Sequence, residues 1–220
     1  MTGLTSSLQL EALCALAARQ IDHFFPDGER VDPASLLASA RTALQRLEHC
    51  FSKVNNRYFF DGSHVVFDHL HGDQYAMWLY FLSNQLHRDK APENWCKKLF
   101  LLNKALHGCD IYFAVELPSI FLLVHPLGTV LGRGQYDDYF LAYQRCGIGS
   151  NHDVYPKLGK HVSLRPGSAV LGASTIGDNV TIAAESLVLD KDIPANTTYF
   201  GNPRDFSTRQ RTTTENIWRI

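Results

Sequence analysis

The stretch that decides the fold is 158-LGKHVSLRPGSAVLGASTIGDNVTIAAESLVLDKDI-193. Cut into units of six, it places an aliphatic residue at the first position of every unit: Leu158, Leu164, Val170, Ile176, Ile182 and Val188. A period of six fits neither the repeat of an α-helix nor the alternation of a hairpin strand. It is typical of a parallel β-helix, in which each short strand forms one side of a coil and its aliphatic residue points inward. Neighbouring coils then stack and supply each other's backbone hydrogen bonds.

The chain before this repeat predicts helices up to about residue 108. Segment 6-SSLQLEALCALAARQIDHFF-25 has apolar residues at helical spacing, with Ser6 or Ser7 as its N-cap. A second helix is expected in 32-DPASLLASARTALQRLEHCF-51, with Asp32 as N-cap and Pro33 in the first turn. Two more are expected, in 72-GDQYAMWLYFLSNQLH-87 and 93-ENWCKKLFLLNKALHG-108. The third helix is expected to be buried, because it carries four aromatic residues: Tyr75, Trp78, Tyr80 and Phe81.

Composition limits the classes of function. The 220 residues include 21 Lys and Arg against 22 Asp and Glu, so no net field attracts nucleic acid or an anionic membrane. No window reaches the roughly 18 apolar residues of a membrane span, and no secretory signal pattern opens the chain. A cytoplasmic protein is therefore expected. Five cysteines, an odd number without a CxxC pair, predict reduced, buried thiols rather than disulfides.

The repeat and its helical neighbour resemble the left-handed β-helix acyltransferases, and within them the serine acetyltransferase branch. The likeness spans about residues 71–205 and is carried by 109-CDIYFAVELPSIFLLVHPLGTVLG-132, 155-YPKLGKHVSLRPGSAVLG-172, 176-IGDNVTIAAESLVLDKDIPANTT-198 and 200-FGNP-203. It implies an α+β protein with a helical N-terminal domain at 1–108, a left-handed parallel β-helix at 109–206 and a C-terminal tail at 207–220. It also implies a homotrimer or a dimer of trimers.

The resemblance implies an O-acetyltransferase with acetyl-CoA as co-substrate and no metal. The residue that matches the family's general base is His125 in VHPLG. A neutral imidazole within hydrogen-bond reach can take the proton of an alcohol as it attacks the thioester. Asp110 lies fifteen residues earlier, at the spacing of an acceptor-site carboxylate in the family. The structural alternatives are a histidine that caps a turn and an aspartate that does the same.

The resemblance also implies where acetyl-CoA binds, in a groove between adjacent β-helices lined by small residues that let the backbone approach the ligand. The thioester is expected near Cys146, Gly147 and Gly149, where a backbone amide could hold the developing oxyanion. The remaining predicted contacts are Gly167, Ser168, Ala184 and, for the nucleotide phosphates, Arg204. Glu185 stands where the family has a glycine, which weakens the prediction of close approach there.

Departures from the family bear on the acceptor. Val124 replaces an aspartate before the base, and Val154 and Tyr155 replace an Arg-His pair. Without that arginine the carboxylate of serine would be buried unpaired, at a cost of several kcal/mol. We therefore expect a hydroxyl of a sugar or surface polysaccharide as acceptor. The predicted acceptor residues are Tyr136, Asp137, Asp138, Tyr155 and Asp68.

Two other functions stay open at this point: serine O-acetylation for cysteine synthesis, and a non-catalytic hexapeptide-repeat scaffold. A zinc site is a further alternative, because 67-FDHLHGD-73 contains a His-x-His pair. No second ligand cluster accompanies the pair in the sequence. We therefore expect this segment to begin a helix or to supply the carboxylate of Asp68 to the acceptor site.

Overall fold

The computed structural model describes residues 3–219 and divides into two compact units. One unit ends at His107 and also takes in Arg219, and the other runs Gly108–Trp218. Within residues 3–219 the order of elements is helices first and a parallel β-helix second, so the predicted α+β class is confirmed. The predicted bounds 1–108, 109–206 and 207–220 remain predictions, and Ile220 lies outside the described residues.

The helical unit contains α1 (Leu10–Phe24), α2 (Pro33–Phe51), α3 (Gly72–Arg88) and α4 (Glu93–His107). Asp32 caps α2 as predicted, because its carboxylate accepts a hydrogen bond from the Ala34 amide at 3.1 Å. The predicted serine cap of α1 is wrong, since Gln9 occupies that position and makes no side-chain cap. Ser6 instead ends β1 (Leu4–Ser6), which pairs in parallel with β2 (Val65–Phe67). This two-stranded sheet was not predicted.

The core of the helical unit forms around α3, which packs against α2 and α4. The predicted aromatic core is confirmed, since Trp78 is fully buried and Tyr75 is 4% exposed. Their rings stack with centroids 5.4 Å apart. Among the helices of residues 3–219, none combines the length and the apolar content that a bilayer crossing requires.

The second unit is built from thirteen short strands that follow one another around a coil. They are β3 (Phe121–Leu123), β4 (Val130–Leu131), β5 (Gln135–Tyr136), β6 (Phe140–Ala142), β7 (Gly147–Gly149), β8 (Lys157–Leu158), β9 (Ser163–Leu164), β10 (Ala169–Leu171), β11 (Thr175–Ile176), β12 (Thr181–Ile182), β13 (Leu187–Leu189), β14 (Thr197–Gly201) and β15 (Phe206–Gln210). Three sheets result, with strand orders β4-β7-β10-β13 (sheet I), β5-β8-β11 (sheet II) and β3-β6-β9-β12-β14-β15 (sheet III). All pairings are parallel except β14 with β15.

The six aliphatic residues of the repeat point inward as predicted, and none is more than 3% exposed. The strand register brings these inward side chains into contact along the axis, because in sheet III Leu164 pairs with Ile182 and Ile182 pairs with Tyr199. Each coil thus places one aliphatic or aromatic side chain on the next. Burying such a side chain is worth about 1.5–3 kcal/mol, and the parallel coils add these contributions along the axis.

The corners of the coil adopt left-handed backbone conformations on successive turns. One row of corners is formed by Tyr139, His161, Asn179 and Asn196, with φ between 56° and 66°. The amide of each corner donates to a carbonyl of the preceding coil, as from Asn179 to Lys160 at 2.7 Å. The sharp turns therefore keep the coil-to-coil hydrogen bonds continuous between sheets.

Candidate active site

His125 lies in the corner that connects β3 of sheet III to β4 of sheet I. Its backbone is left-handed, with φ of 50°, and its side chain is exposed. A tight turn follows, in which the Leu127 amide donates to the His125 carbonyl at 2.7 Å and the Thr129 amide donates to Pro126 at 3.0 Å. Other corners of the coil share this backbone conformation, Tyr139 and His161 among them, so it follows from the turn and does not by itself indicate function. Because its side chain is exposed, the imidazole is on the outside of the β-helix.

Asp110 lies beside the same corner. It forms an isolated parallel bridge with Val130, the first residue of β4, and its amide donates to Thr129 at 2.9 Å. Paired residues in register project to the same side of a sheet. Val130 is 49% exposed, so Asp110 projects to the outer surface as well. The structure thus places Asp110 and the His125 turn on one surface, and the roles predicted for them stay predictions.

On the outer face of sheet I, the outward positions of the four strands are all apolar residues or glycine. These positions in β4, β7, β10 and β13 are Val130, Gly147, Gly149, Ala169, Leu171, Leu187 and Leu189. The outward positions of sheet II are polar, namely Gln135, Lys157 and Thr175. An apolar, glycine-rich outer face directly beyond the His125 corner suits an extended ligand or a second protein surface.

Two predicted cofactor contacts are not supported by the structure. Cys146 is 1% exposed, and its thiol lies 3.2 Å from the Arg165 carbonyl inside the coil. Ser168 is fully buried, and its hydroxyl faces the same thiol at 3.9 Å. Both side chains therefore fill the β-helix interior. The Gly147 amide donates to Ser168 at 2.9 Å, so it is not available for an oxyanion.

The other predicted cofactor residues lie at the surface and keep their roles as predictions. Gly149 belongs to the outer face of sheet I. Gly167 and Ala184 lie near the His125 corner on later coils, where Gly167 has φ of 74°. A Cβ at Gly167 would lie 2.5 Å from the carboxylate of Glu185, which forms an ion pair with Arg145. The Glu185 carboxylate is the end of a flexible, exposed side chain and can move away, so the positive φ is the main reason for glycine at this position.

The predicted acceptor residues mostly have partners within their own coils. Tyr136 pairs in register with the inward Leu158, and its hydroxyl donates to the Gly132 carbonyl at 2.6 Å. The carboxylate of Asp138 accepts from the Ile120 amide at 3.0 Å. Tyr136 and Asp138 therefore stabilise the coil, and the prediction that they form a sugar platform is not supported.

Three acceptor predictions are left. Asp137 is exposed and Tyr155 is half-buried in the loop before β8. Asp68 belongs to the helical unit, where its carboxylate accepts from the Leu70 amide at 2.9 Å. Neighbouring His69 lies 2.8 Å from the Ser7 hydroxyl. Across residues 3–219 no group of three or more His, Cys, Asp or Glu is arranged to hold a metal ion.

The cysteines do not offer a nucleophile. All five are buried thiols and none forms a disulfide, as predicted from the sequence. Burial raises the pKa of the Cys109 thiol to about 12, with the nearby Asp110 charge acting in the same direction. Burial also raises the pKa of Cys146. Because the thiolate is the reactive form, neither side chain suits covalent catalysis near neutral pH.

A charged cluster that sequence reasoning missed lies two coils from His125. Arg165 donates to the Tyr143 hydroxyl at 3.2 Å and forms an ion pair with Glu215. Glu215 also pairs with Arg211 at 3.2 Å. The sequence offers one signal for this cluster: Arg165 is charged and directly follows the inward Leu164, whereas the equivalent position of the next coil is the small Ala183.

Comparison with known proteins relates the chain to one group of enzymes. No protein-family model matches the sequence. A serine acetyltransferase of Synechococcus elongatus is 34% identical over 107 residues, which cover 46% of this chain and 43% of that protein. A serine acetyltransferase of Helicobacter pylori is 27% identical over 142 residues, or 62% of this chain and 82% of that protein. The matched region thus spans less than half of the first relative.

Solved structures share the fold over nearly the whole chain. Serine acetyltransferase from Brucella abortus in complex with coenzyme A has a TM-score of 0.72 at 20% identity, covering 95% of this chain and 85% of that one. The Neisseria gonorrhoeae enzyme in complex with serine has a TM-score of 0.67 at 21% identity, covering 89% and 83%. These likenesses establish that the chain has the helical-domain and β-helix fold of hexapeptide-repeat acyltransferases. None of the named proteins is a sugar or polysaccharide acetyltransferase.

Proposed function

We propose that this chain is an acetyl-CoA-dependent O-acetyltransferase with His125 as general base. The observation that carries the proposal is an exposed imidazole in a left-handed corner, next to Asp110 and to an apolar outer sheet. The serine acetyltransferases to which the chain is similar support a hydroxy amino acid, with L-serine as the first candidate. A sugar acceptor is less well supported, because Tyr136 and Asp138, two of the residues predicted to bind it, have hydrogen-bond partners within the coil.

In the proposed reaction the acceptor hydroxyl donates its proton to His125 while its oxygen attacks the carbonyl carbon of the thioester. The carbon–sulfur bond breaks, and the coenzyme A thiolate regains the proton from the imidazolium. General base catalysis of this kind typically contributes about 10²–10⁴ in rate. Asp110 is on the same surface and is proposed to orient the imidazole or to hold the acceptor.

Acetyl-CoA is proposed to lie along the outer face of sheet I. The small residues there, Gly147, Gly149 and Ala169, leave backbone atoms accessible to an extended pantetheine chain. The leucines of β10 and β13 provide apolar surface beyond them. We propose that a second copy of the chain covers the same face in a homotrimer, which would close the groove.

The test compares His125→Asn with His152→Asn. Asparagine tolerates the left-handed backbone, and His152 is an exposed histidine with φ of 49°, so the two variants are matched in strain. Thiol release from acetyl-CoA is measured with L-serine and with a panel of sugars, and coenzyme A binding is measured by calorimetry. We expect His125→Asn to lose at least about 100-fold in kcat and to keep coenzyme A binding.

The outcomes separate the candidates. Unchanged turnover in His125→Asn would remove this residue from the reaction. Turnover with sugars but not with L-serine would restore the sugar acceptor. A wild-type protein that neither binds coenzyme A nor releases thiol with any acceptor would instead be a non-catalytic scaffold.

A further inference from the structure

The C-terminal tail, residues 211–218, returns along the outer side of sheet III. It starts at the last coil, where the Arg211 amide donates to the Asn196 carbonyl at 2.8 Å. Glu215 then reaches Arg165 at the end of β9, and Trp218 packs edge-on against Tyr139, just before β6, with centroids 5.6 Å apart. Trp218 is only 5% exposed. The tail therefore runs across the outer side of sheet III, from the last coil at Asn196 to the corner at Tyr139, just before β6.

Burial of sheet III agrees with this course. Its outward-facing residues Leu141, Ser163 and Thr181 are 1%, 0% and 6% exposed, although two of them are polar. Among residues 3–219 the hydroxyls of Ser163 and Thr181 find no hydrogen-bond partner. Outward residues of sheet II, which the tail does not cross, are exposed. The low exposure of these outward residues is consistent with a tail that covers the outer side of sheet III.

Arg165 belongs to the same column of the β-helix as the His125 corner. The amide of Val124 donates to Ala142, that of Tyr143 donates to Leu164, and that of Arg165 donates to Ile182. Val124, Tyr143 and Arg165 therefore hold equivalent places on successive coils. The Arg165 guanidinium folds back over the ring of Tyr143, 5.3 Å from its centroid. The guanidinium thus contacts Tyr143, whose backbone lies one coil from Val124 and His125, a spacing of about 4.8 Å along the axis.

The cluster has more positive than negative charge. Arg165 and Arg211 share the single carboxylate of Glu215, and the three side chains are 32%, 12% and 17% exposed. A guanidinium presents parallel N–H donors that match a carboxylate, and such charge-assisted bonds are strong when partly shielded from water. Arg165 and Arg211 therefore form a site suited to binding a carboxylate, and in this structure Glu215 of the same chain supplies that carboxylate.

We propose that Arg165 recognises the carboxylate of the acceptor, and that Glu215 occupies this position until the acceptor displaces it. The proposal rests on the proposed function and specifies its substrate class: a small hydroxy acid, such as L-serine, whose hydroxyl extends towards His125. The exchange is one carboxylate for another, so the charge of the cluster does not change.

The experiment uses the full chain and titrates L-serine, and separately ethanolamine, which lacks the carboxylate, in a calorimeter. The variants are Arg165→Gln, Arg165→Lys and Glu215→Gln. The matched control is Arg209→Gln, which removes one exposed arginine from β15. Circular dichroism checks the fold of each variant, and Arg165→Lys keeps the charge should the glutamine variant fail to fold.

We expect Arg165→Gln to weaken L-serine binding by about tenfold or more, because hydrogen bonds to charged groups are worth about 1.5–3 kcal/mol. Arg165→Lys should give an intermediate loss, and ethanolamine binding should not respond to either change. Glu215→Gln should bind L-serine several-fold more tightly than the wild type, since the internal competitor loses its charge. Arg209→Gln should behave as the wild type.

Several results would overturn the proposal: equal L-serine binding by Arg165→Gln and the wild type, an equal loss for ethanolamine, or no L-serine binding by any form including Glu215→Gln. A loss confined to coenzyme A binding would assign Arg165 to the donor side and also refute it. Thiol release from acetyl-CoA is followed in parallel. Acetyl transfer that persists while Arg165→Gln has no effect refutes this inference alone, whereas the absence of both coenzyme A binding and thiol release refutes the proposed function.

Discussion

Replacing Gly172 by alanine tests the packing of the corner between sheets I and II. Gly172 has φ of 71°, and a Cβ there would overlap the Asp190 carboxylate and lie 2.8 Å from the Cβ of Asn151. That carboxylate accepts from the Ala173 amide at 2.7 Å and from the Asn151 side chain at 2.6 Å. The methyl group must therefore displace the group that ties three coils together.

The expected cost has two parts. A left-handed backbone costs alanine about 1–2 kcal/mol relative to glycine. Loss of two hydrogen bonds to Asp190 adds about 0.5–1.5 kcal/mol each, for a total of about 2–5 kcal/mol. Gly128→Ala is the control, because Gly128 belongs to the same unit, has φ of 74° and would place its Cβ at ordinary contact, 3.4 Å from Arg145. It should cost only about 1–2 kcal/mol.

The assay is urea unfolding followed by far-ultraviolet circular dichroism, with a double-mutant cycle through Asp190→Ala. Once the carboxylate is gone, Gly172→Ala should still cost its backbone share of about 1–2 kcal/mol and the strain of the Asn151 contact, but no longer the two hydrogen bonds to Asp190. The two substitutions should therefore couple by about 1–3 kcal/mol. Strict additivity, or a Gly172→Ala cost equal to that of Gly128→Ala, would refute the steric argument.

Three further predictions concern the surface, the tail and pH. Leu171→Glu should dissociate the proposed oligomer, because it puts a charge into the apolar face of sheet I; a mass by light scattering equal to that of the wild type would contradict this. Trp218→Ala should cost about 3–5 kcal/mol and expose the tail to limited proteolysis, and an unaltered cleavage pattern would count against the tail packing. Burial beside Tyr139 lowers the pKa of His161, against the smaller opposing effect of Asp178. The contribution of neutral His161 to the free energy of unfolding should therefore be fully present above the unfolded pKa of about 6.5. It should be lost as the pH falls from there towards the lowered folded pKa, and His161→Asn should reduce this pH dependence.

The helical unit illustrates how local patterns succeed and fail. Asp32 and Pro33 mark the start of α2 correctly, because a cap acts within four residues of itself. The serine cap predicted for α1 failed because Ser6 is drawn into β1, whose partner β2 lies about sixty residues away. Tertiary pairing thus overrode a valid local preference.

The candidate site also has one part that the sequence indicates and another that depends on tertiary partners. The sequence points to His125 through the resemblance of VHPLG to the family's general-base stretch, and its role stays a prediction. The acceptor residues were harder, since the sequence gives their chemistry and not their partners. Tyr136 and Asp138 have groups suited to a sugar, yet a carbonyl and an amide of the β-helix already bind them.

The sequence alone determined the β-helix, because a six-residue period of aliphatic residues permits burial only when short strands stack in parallel. Only the tertiary structure decided which charges meet. Arg165 and Glu215 lie fifty residues apart, and nothing in either local sequence refers to the other. The direction of a side chain follows from its own backbone, whereas the partner of a charge depends on the course of the whole chain, here on a tail that returns along sheet III to the column of His125.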